Sequence, residues 1–251
     1  MNFKQLLHTK EYDFLRTNEH LGDNIILLGL GGSHAYGTNV EGSDIDIRGI
    51  ALNSKSDLIG LSSFEQVVHE GTDTTIYSFN KIIKLLLNSN PNVIEILGLK
   101  PEHYLYVTDI GQELIDNRHM FLSQKCIKSF GGYANQQLHR LKNGEKLRKD
   151  EQRLSKHMMH LIRLYIMCVD ILEKEEIITY RENERDLLMG IRNGVYLTNG
   201  VICGDFWDIL RGYEWEFEYA KLNTNLPKKP NYKQVEEFVM NVNERVVKGS
   251  V

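Results

Sequence analysis

The sequence has few cysteines for disulfide bonds or metal sites and no long apolar run for a membrane span. It has only three cysteines, Cys126, Cys168 and Cys203, and no two of them form a Cys-x-x-Cys pair. An odd number of widely spaced cysteines argues against a disulfide framework and against a zinc ribbon. We expect buried free thiols instead. No apolar run approaches the roughly 20 residues that a membrane-spanning helix needs.

The chain also lacks a large excess of charge and a recognisable secretion signal. Its formal net charge of −4 argues against an extended surface for nonspecific nucleic-acid binding. The amino-terminal stretch MNFKQLLHTKEYDFL contains Glu11 and has no continuous apolar segment with a small-residue cleavage site. With 41% hydrophobic and 25% charged residues, the composition is that of an ordinary globular protein. We expect a cytoplasmic protein with no membrane partner.

The most informative stretch is residues 30–49, LGGSHAYGTNVEGSDIDIRG. An apolar run leads into Gly31-Gly32-Ser33, where small residues permit close approach of the backbone to a phosphate chain. Asp44 and Asp46 then open a segment of alternating apolar residues. Because side chains alternate between the faces of a strand, these two carboxylates are expected on one face. Carboxylates combined with substrate phosphates are the usual surroundings of Mg²⁺, so the stretch predicts a site for metal and nucleotide.

These residues resemble the signature of the DNA polymerase beta nucleotidyltransferase superfamily, in which Gly-Ser is followed after a spacer by Asp-x-Asp. The flanking pattern looks more narrowly like predicted nucleotidyltransferases associated with RNA-repair operons. That pattern reads Gly32-Ser33-x-Ala35-Tyr36-Gly37-Thr38 and Ser43-Asp44-x-Asp46-x-Arg48-Gly49. The resemblance implies an α+β fold, with a mixed sheet and flanking helices followed by an all-helical domain. We expect a catalytic domain over 1–118 and a helical domain over 119–251 that closes a cleft for nucleotide and acceptor.

Side-chain periodicity agrees with this division. The pattern predicts strands over 24–30, 44–52, 65–69 and 72–77. It predicts helices over 3–20 (interrupted near Thr9), 79–87, 92–97, 109–117, 121–142, 150–175, 181–192, 204–222 and 231–247. No strand is predicted beyond about residue 120.

The resemblance implies a transfer assisted by two Mg²⁺ or Mn²⁺ ions. Asp44 and Asp46 are expected to ligate both ions, and a third carboxylate is expected on a later strand. Asp73, which opens the segment 72–77, is our candidate for that ligand and for the acceptor of the proton from the attacking hydroxyl. Glu70 is the alternative.

The same resemblance implies a set of residues around the nucleotide. Gly32 and Ser33 are expected to hold the terminal phosphates. Tyr36 and Thr38 either shape the nucleotide pocket or form a plain turn with a packed tyrosine. Arg48 either contacts a phosphate or neutralises the carboxylates before metal binds, and the sequence leaves both roles open.

The helical part carries two stripes of polar residues at helical spacing. Lys156, His160 and Arg163 stand at i, i+4 and i+7, which suits a triphosphate or an RNA backbone. Tyr133, Gln137 and Arg140 repeat that spacing on the preceding helix, where we expect them to bind the acceptor. Solvated helix faces are the alternative for both stripes.

Two further charged features stand outside those stripes. Basic residues outnumber acidic ones between residues 140 and 156, which indicates either a phosphate-facing patch or a solvated helix end. The basic residues of this run are Arg140, Lys142, Lys146, Arg148, Lys149, Arg153 and Lys156. Glu95 stands in the apolar stretch NPNVIEIL, where it can anchor an arginine from the second domain.

The sequence therefore predicts a metal-dependent enzyme that binds ATP or another NTP and moves its NMP to a hydroxyl, with release of pyrophosphate. The favoured acceptor is an RNA 3′ end or another polynucleotide, in RNA repair. Transfer to a protein, as in small polymerase beta-like antitoxins that AMPylate a toxin, is an alternative. A non-catalytic nucleotide-binding module is the other. A dinucleotide fingerprint and a P-loop are both excluded by the residues after Gly31.

Overall fold

The computed structural model describes residues 3–146 and 150–250, except for the side chains of residues 144–146. Arg148, Lys149 and the side chain of Lys146, which belong to the basic run of the sequence, lie outside this described part. The first half of the chain forms a five-stranded sheet in the order β3-β4-β2-β1-β5. Its strands are β1 (Ile25–Leu30), β2 (Ile47–Ala51), β3 (Gln66–His69), β4 (Thr74–Ser78) and β5 (Tyr104–Val107). Only β2 and β4 pair in parallel, so the sheet is mixed.

Helices flank this sheet and make up most of the second half. In the first half they are α1 (Phe3–Leu6), α2 (Phe14–Thr17), α3 (Gly32–Tyr36), α4 (Lys55–Ile59), α5 (Phe79–Leu86), α6 (Pro91–Ile94) and α7 (Asp109–Asp116). In the second half they are α8 (Lys125–Lys146), α9 (Glu151–Lys174), α10 (Arg185–Arg192), α11 (Gly204–Asn223) and α12 (Tyr232–Lys248). A short hairpin of β6 (Leu197–Thr198) and β7 (Val201–Ile202) separates α10 from α11.

Capping residues explain where several of these helices begin. The Ser78 hydroxyl accepts a hydrogen bond from the amide of Lys81 at the start of α5, and Thr108 caps α7 in the same way. Pro91 occupies the first turn of α6, where its missing amide hydrogen is not needed. Each cap satisfies a backbone donor that the helix leaves open. The sequence signals therefore fix the helix starts beside the sheet.

The two halves share one continuous core. Strand β1 is buried along its whole length, and α9 is buried among its helical neighbours α8, α10 and α11. The last helix, α12, returns to the first half, where Arg245 pairs with Glu113 at 3.0 Å and Phe238 packs edge-on against Phe79. The architecture is the expected α+β fold, with a mixed sheet, flanking helices and C-terminal helices. The division at residue 118 stays a prediction, and α12 packs across it.

The structure corrects several predicted boundaries. The second strand begins at Ile47 and not at residue 44, so Asp44 and Asp46 lie in the extended connection that precedes it. The interruption predicted near Thr9 is confirmed, since α1 ends at Leu6 and the Thr9 side chain donates to the Leu6 carbonyl, but the helical segment ends at Thr17 and not at residue 20. Helix α8 begins at Lys125 rather than at residue 121, since a 3-10 turn precedes it.

Three strands were not predicted at all. Strand β5 is a four-residue edge strand, and its alternation is too short to stand out in the sequence. Strands β6 and β7 have two residues each and lie beyond residue 120, where we expected none. Pairing with a neighbour, rather than periodicity, defines all three.

Candidate active site

The candidate catalytic carboxylates lie where three neighbouring strands meet. Leu30 of β1 pairs with Ile47 of β2, and Ile47 is in register with Thr74 of β4. One residue beyond this row, the amide of Gly31 donates to the carbonyl of Asp46 at 2.8 Å. The amide of Ile47 donates to the carbonyl of Asp73 at 3.2 Å. Backbone pairing thus sets Asp46 and Asp73 side by side.

Asp73 is held in an uncommon backbone conformation. It ends a short 3-10 turn and has a left-handed φ of 45° just before β4 begins. Aspartate tolerates this conformation better than most residues, because its short polar side chain can satisfy nearby backbone groups. The turn therefore places the Asp73 carboxylate at the amino-terminal end of β4, beside the connection that carries Asp44 and Asp46.

Gly32 makes room for the carboxylate of Asp46. Its φ of 55° is left-handed, and a Cβ at this position would stand 1.9 Å from the Asp46 Oδ2 atom. Both the conformation and the contact demand glycine here. The second glycine of the signature therefore determines where an aspartate of the signature sits.

Arg48 contacts both of these carboxylates. Its Nη2 atom lies 3.1 Å from Asp46 Oδ1 and 3.8 Å from Asp73 Oδ1. Its Nη1 atom also donates to the carbonyl of Asp73 at 2.7 Å. Arg48 thus neutralises this pair as it stands, and its contact with a phosphate stays a prediction.

The environment of Asp46 disfavours its charge. Burial raises the pKa of Asp46 to about 6, with Arg48 opposing the shift and the neighbouring Asp73 carboxyl adding to it. Two adjacent carboxyls that share one positive partner are a donor set suited to a divalent cation, which prefers oxygen ligands. Asp46 and Asp73 thus fit a metal by their chemistry. As the side chains stand, no three His, Cys, Asp or Glu residues in the described ranges are grouped to hold a metal ion.

These residues open onto a cleft of about 900 Å³ between the two halves of the chain. One wall carries Ser33, Asp44, Asp46 and Asp73, and Asp44 is exposed there. The opposite wall comes from α8, α9 and α10. The predicted residues that it brings into the cleft are Gln137, Arg140, Lys156 and His160.

Four predicted residues lie elsewhere. Thr38 is fully buried, and its hydroxyl has no hydrogen-bond partner within the described part of the chain. Tyr133 contacts Asn90, at 3.4 Å from the phenol oxygen to Nδ2. Glu70 is exposed and lines a smaller neighbouring cavity. Arg163, only 1% exposed, is buried behind the cleft.

Arg163 belongs to a buried network that joins the halves of the chain. Its Nη1 atom lies 3.2 Å from Glu95 Oε2, and its guanidinium stacks 3.6 Å from the ring centroid of Tyr36. The Tyr36 phenol oxygen lies 2.9 Å from each carboxylate oxygen of Glu95. Tyr36 is therefore a packed tyrosine that also touches the cleft. The anchoring of an arginine from the helical part by Glu95 is observed.

Arg192 is a cleft cation that the sequence did not single out. It ends α10, lines the cleft and donates to the Ser43 hydroxyl at 3.3 Å, close to Asp44 in the chain. Burial lowers the pKa of its guanidinium. Its position in the last turn of a short helix gives no pattern that points to the aspartates, so only the folded arrangement reveals it.

The segment before α10 and the first residue of α10 hold the end of the signature helix α3. The amide of Arg181 donates to the carbonyl of Tyr36 at 3.0 Å, and the Arg185 Nε atom donates to the carbonyl of Gly37 at 3.0 Å. A Cβ at Gly37, whose φ is 75°, would meet the ring of Tyr180 at 2.5 Å. The second half of the chain thus packs against the end of the signature helix and bonds to its last carbonyls.

The sheet, the carboxylate row and the Gly-Ser helix define a polymerase beta-like nucleotidyltransferase domain. The family model of RlaP, the RNA repair pathway DNA polymerase beta family, matches residues 7–191. The chain belongs to this family. The match extends to α10 and so includes the residues that hold α3. No curated protein matches the chain, and no described helix is long and apolar enough to cross a membrane.

Proposed function

We propose that this chain is a metal-dependent nucleotidyltransferase that moves an NMP from an NTP to an RNA 3′ hydroxyl and releases pyrophosphate. The observation that carries the proposal is the arrangement of charge in the cleft. Asp46 and Asp73 lie side by side on one wall, and Arg140, Lys156 and Arg192 lie on the opposite wall. Membership in a nucleotidyltransferase family of RNA repair supports it.

The residues of the chain divide the work of such a transfer. Asp44, Asp46 and Asp73 would hold two Mg²⁺ or Mn²⁺ ions, and Arg48 would release the carboxylates that it now neutralises. When bound, these ions would lower the pKa of the attacking hydroxyl and neutralise charge on the leaving pyrophosphate. Gly32 and Ser33 would bind the terminal phosphates through backbone and hydroxyl donors.

In the reaction, the acceptor oxygen forms a bond to the α-phosphorus while the bond from that phosphorus to the α–β bridging oxygen breaks. The hydroxyl proton passes to the carboxylate of Asp73, and the electron pair of the broken bond leaves with pyrophosphate. Arg140, Lys156 and Arg192 provide positive charge for an anionic chain on the far wall of the cleft. The acceptor must therefore supply a hydroxyl to the carboxylates and negative charge to these three cations. A single-stranded RNA end offers both, through its 3′ hydroxyl and its phosphates.

The test is an incubation with each α-labelled NTP, Mg²⁺ or Mn²⁺, and RNA, DNA or protein in separate reactions. We expect label at the RNA 3′ end together with pyrophosphate. RNA whose terminal diol has been oxidised with periodate is the matched control and should accept nothing. Asp46→Asn should lower the rate by more than the roughly 100-fold that loss of an outer partner of a metal site costs.

Other outcomes would replace the proposal. Label on protein and none on RNA would favour AMPylation. NTP binding without consumption of any NTP would favour a non-catalytic nucleotide-binding module. A rate of pyrophosphate release unchanged by Asp44→Ala and Asp46→Ala would refute the carboxylate mechanism.

A further inference from the structure

The contacts of His160 select one tautomer of its neutral imidazole ring. Its Nδ1 atom lies 3.1 Å from Arg163 Nη2. A guanidinium has donors and no acceptor, so Nδ1 must accept and carry no hydrogen. The ring hydrogen of His160 therefore resides on Nε2, which makes that atom a donor.

Arg163 cannot easily turn away from this contact. Its guanidinium is held between the Glu95 carboxylate, at 3.2 Å, and the ring of Tyr36, at 3.6 Å. The phenol of Tyr36 in turn contacts Glu95. Glu95, Tyr36 and Arg163 are thus positioning residues for the imidazole of His160.

The charges around His160 keep the ring neutral. The groups that face it are Arg163 and His157 of its own helix and Arg140 of α8. Burial first, and then these neighbours, lower the pKa of His160 to about 3. Burial also lowers the pKa of His157, whose Nδ1 atom lies 2.9 Å from Gln137 Oε1.

His160, His157 and Gln137 are therefore uncharged polar groups in a cleft wall that also carries the cations Arg140, Lys156 and Arg192. Phosphates bind most strongly to charged donors. The neutral Nε2–H of His160 adds no positive charge for a phosphate, and it suits an uncharged acceptor such as a base carbonyl, a ring nitrogen or a ribose hydroxyl oxygen. A site built to hydrogen-bond such an atom discriminates against ligands that lack it.

We propose that His160 recognises the nucleoside part of the bound nucleotide, by donating from Nε2–H to an uncharged acceptor atom while Arg163 holds the ring in that tautomer. The proposal assigns His160 to the nucleoside, rather than to the triphosphate or RNA backbone that its helical spacing suggested. The inference rests on the proposed binding of an NTP in the cleft.

The first test compares two ligands in the full-length chain without an acceptor. Dissociation constants for each NTP and for inorganic tripolyphosphate are measured by calorimetry. His160→Phe should weaken at least one NTP by roughly 5- to 10-fold, as expected for one lost hydrogen bond, and leave tripolyphosphate unchanged. His160→Gln, which retains an amide donor, should recover most of the NTP affinity. Lys156→Gln is the matched control and should weaken both ligands.

The choice of NTP separates base from sugar. A loss confined to one or two bases assigns the acceptor atom to the base. An equal loss for all four NTPs, shared by ribose 5-triphosphate, assigns it to the ribose. Both results support the inference, whereas equal losses for NTP and tripolyphosphate, or no loss for any NTP, overturn it.

The second test reads the tautomer without activity. In a ¹⁵N-histidine NMR spectrum of the folded chain, the ring signals of His160 are those that disappear in His160→Gln. Between pH 6 and 8 their chemical shifts should be those of a neutral ring with its hydrogen on Nε2. An Nδ1–H or doubly protonated ring would refute the inference. NTP binding that depends on His160 but leads to no transfer would refute only the proposed function, and transfer with NTP affinities unaffected by His160→Phe would refute only this inference.

Discussion

The carboxylate of Glu95 and the guanidinium of Arg163 form an ion pair in which both side chains are more than nine-tenths buried. Glu95 follows α6 beside the sheet, and Arg163 lies on the central helix of the second half. Burial raises the pKa of Glu95, while Arg163 and the phenol of Tyr36 act in the opposite direction. The pair thus joins the segment after α6 to α9, and Tyr36 of the signature helix α3 contacts both of its members.

Breaking this pair should destabilise the fold strongly. Glu95→Leu leaves a buried guanidinium without its carboxylate, and Arg163→Leu leaves the reverse, so each should cost about 3–5 kcal/mol in the free energy of unfolding. The double substitution removes both charges and should cost about 1–3 kcal/mol less than the sum. Urea unfolding of the four proteins measures this coupling. Lys233→Ala, at an exposed ion pair of α12, is the control and should leave the midpoint close to its original value.

Gly32→Ala should damage the site through Asp46. The substitution forces an L side chain into a left-handed conformation, at about 1–2 kcal/mol, and brings its Cβ within 1.9 Å of Asp46 Oδ2. We expect loss of transfer together with a lowered melting temperature. Gly249→Ala has a similar φ of 70° and meets no atom within 4 Å, so it isolates the backbone cost. If both variants retain equal activity, the contact with Asp46 has no role in the reaction.

The stability of the protein should depend on pH through His160. Burial and Arg163 hold its pKa at about 3 in the folded chain, against an ordinary value of 6.5. Between these values the unfolded chain binds more protons, so acid favours unfolding. The stability that neutral His160 contributes is complete above pH 6.5 and is lost progressively as the pH falls toward 3.

Comparison with His160→Gln isolates this effect from the other titrating groups. The variant should lose less free energy of unfolding than the original chain between pH 6.5 and pH 4. Urea midpoints at half-unit intervals across that range measure the difference. Parallel curves for the two proteins would mean that His160 titrates normally in the folded state.

Positive charge on the far wall should govern the salt dependence of RNA binding. Arg140→Gln, Lys156→Gln and Arg192→Gln should each reduce the slope of log affinity against log salt by about 0.7–1 if the side chain contacts one phosphate. Binding of a short single-stranded RNA, followed by fluorescence anisotropy at several salt concentrations, measures this slope. Lys228→Gln, on an exposed loop before α12, should leave it unchanged. Unchanged slopes for all three cleft variants would exclude this wall as the RNA surface.

Local pattern in the sequence placed Asp46 and Asp73 at two predicted strands, but the pairing of those strands was not predicted. Asp46 and Asp73 each stand one residue before a strand, so the parallel pairing of β2 and β4 was enough to bring them together. Strand β5 could not be predicted, because four residues at a sheet edge carry too little periodicity. Arg192 could not be predicted either, because its place in the cleft depends on how α10 packs against α9.

Arg163 shows that helical spacing alone does not predict whether a side chain is buried. Helical spacing correctly put it on the same helix as Lys156 and His160, but spacing does not give the depth at which a helix is buried. Burial decides that Lys156 is exposed to the cleft and that Arg163 lies behind it. The two polar stripes are accordingly each divided between cleft and core.

The row of Gly31, Asp46 and Asp73 has a consequence for how this site tolerates insertions and deletions. Backbone hydrogen bonds from Gly31 to Asp46 and from Ile47 to Asp73 set this alignment, so many side-chain replacements within β1, β2 and β4 leave it intact. A single residue inserted in β2 would instead shift its pairing by one position and turn the carboxylate of Asp46 toward the opposite face of the sheet. Length variation should therefore be confined to loops such as 38–43 and 60–65, where added residues leave the strand register untouched.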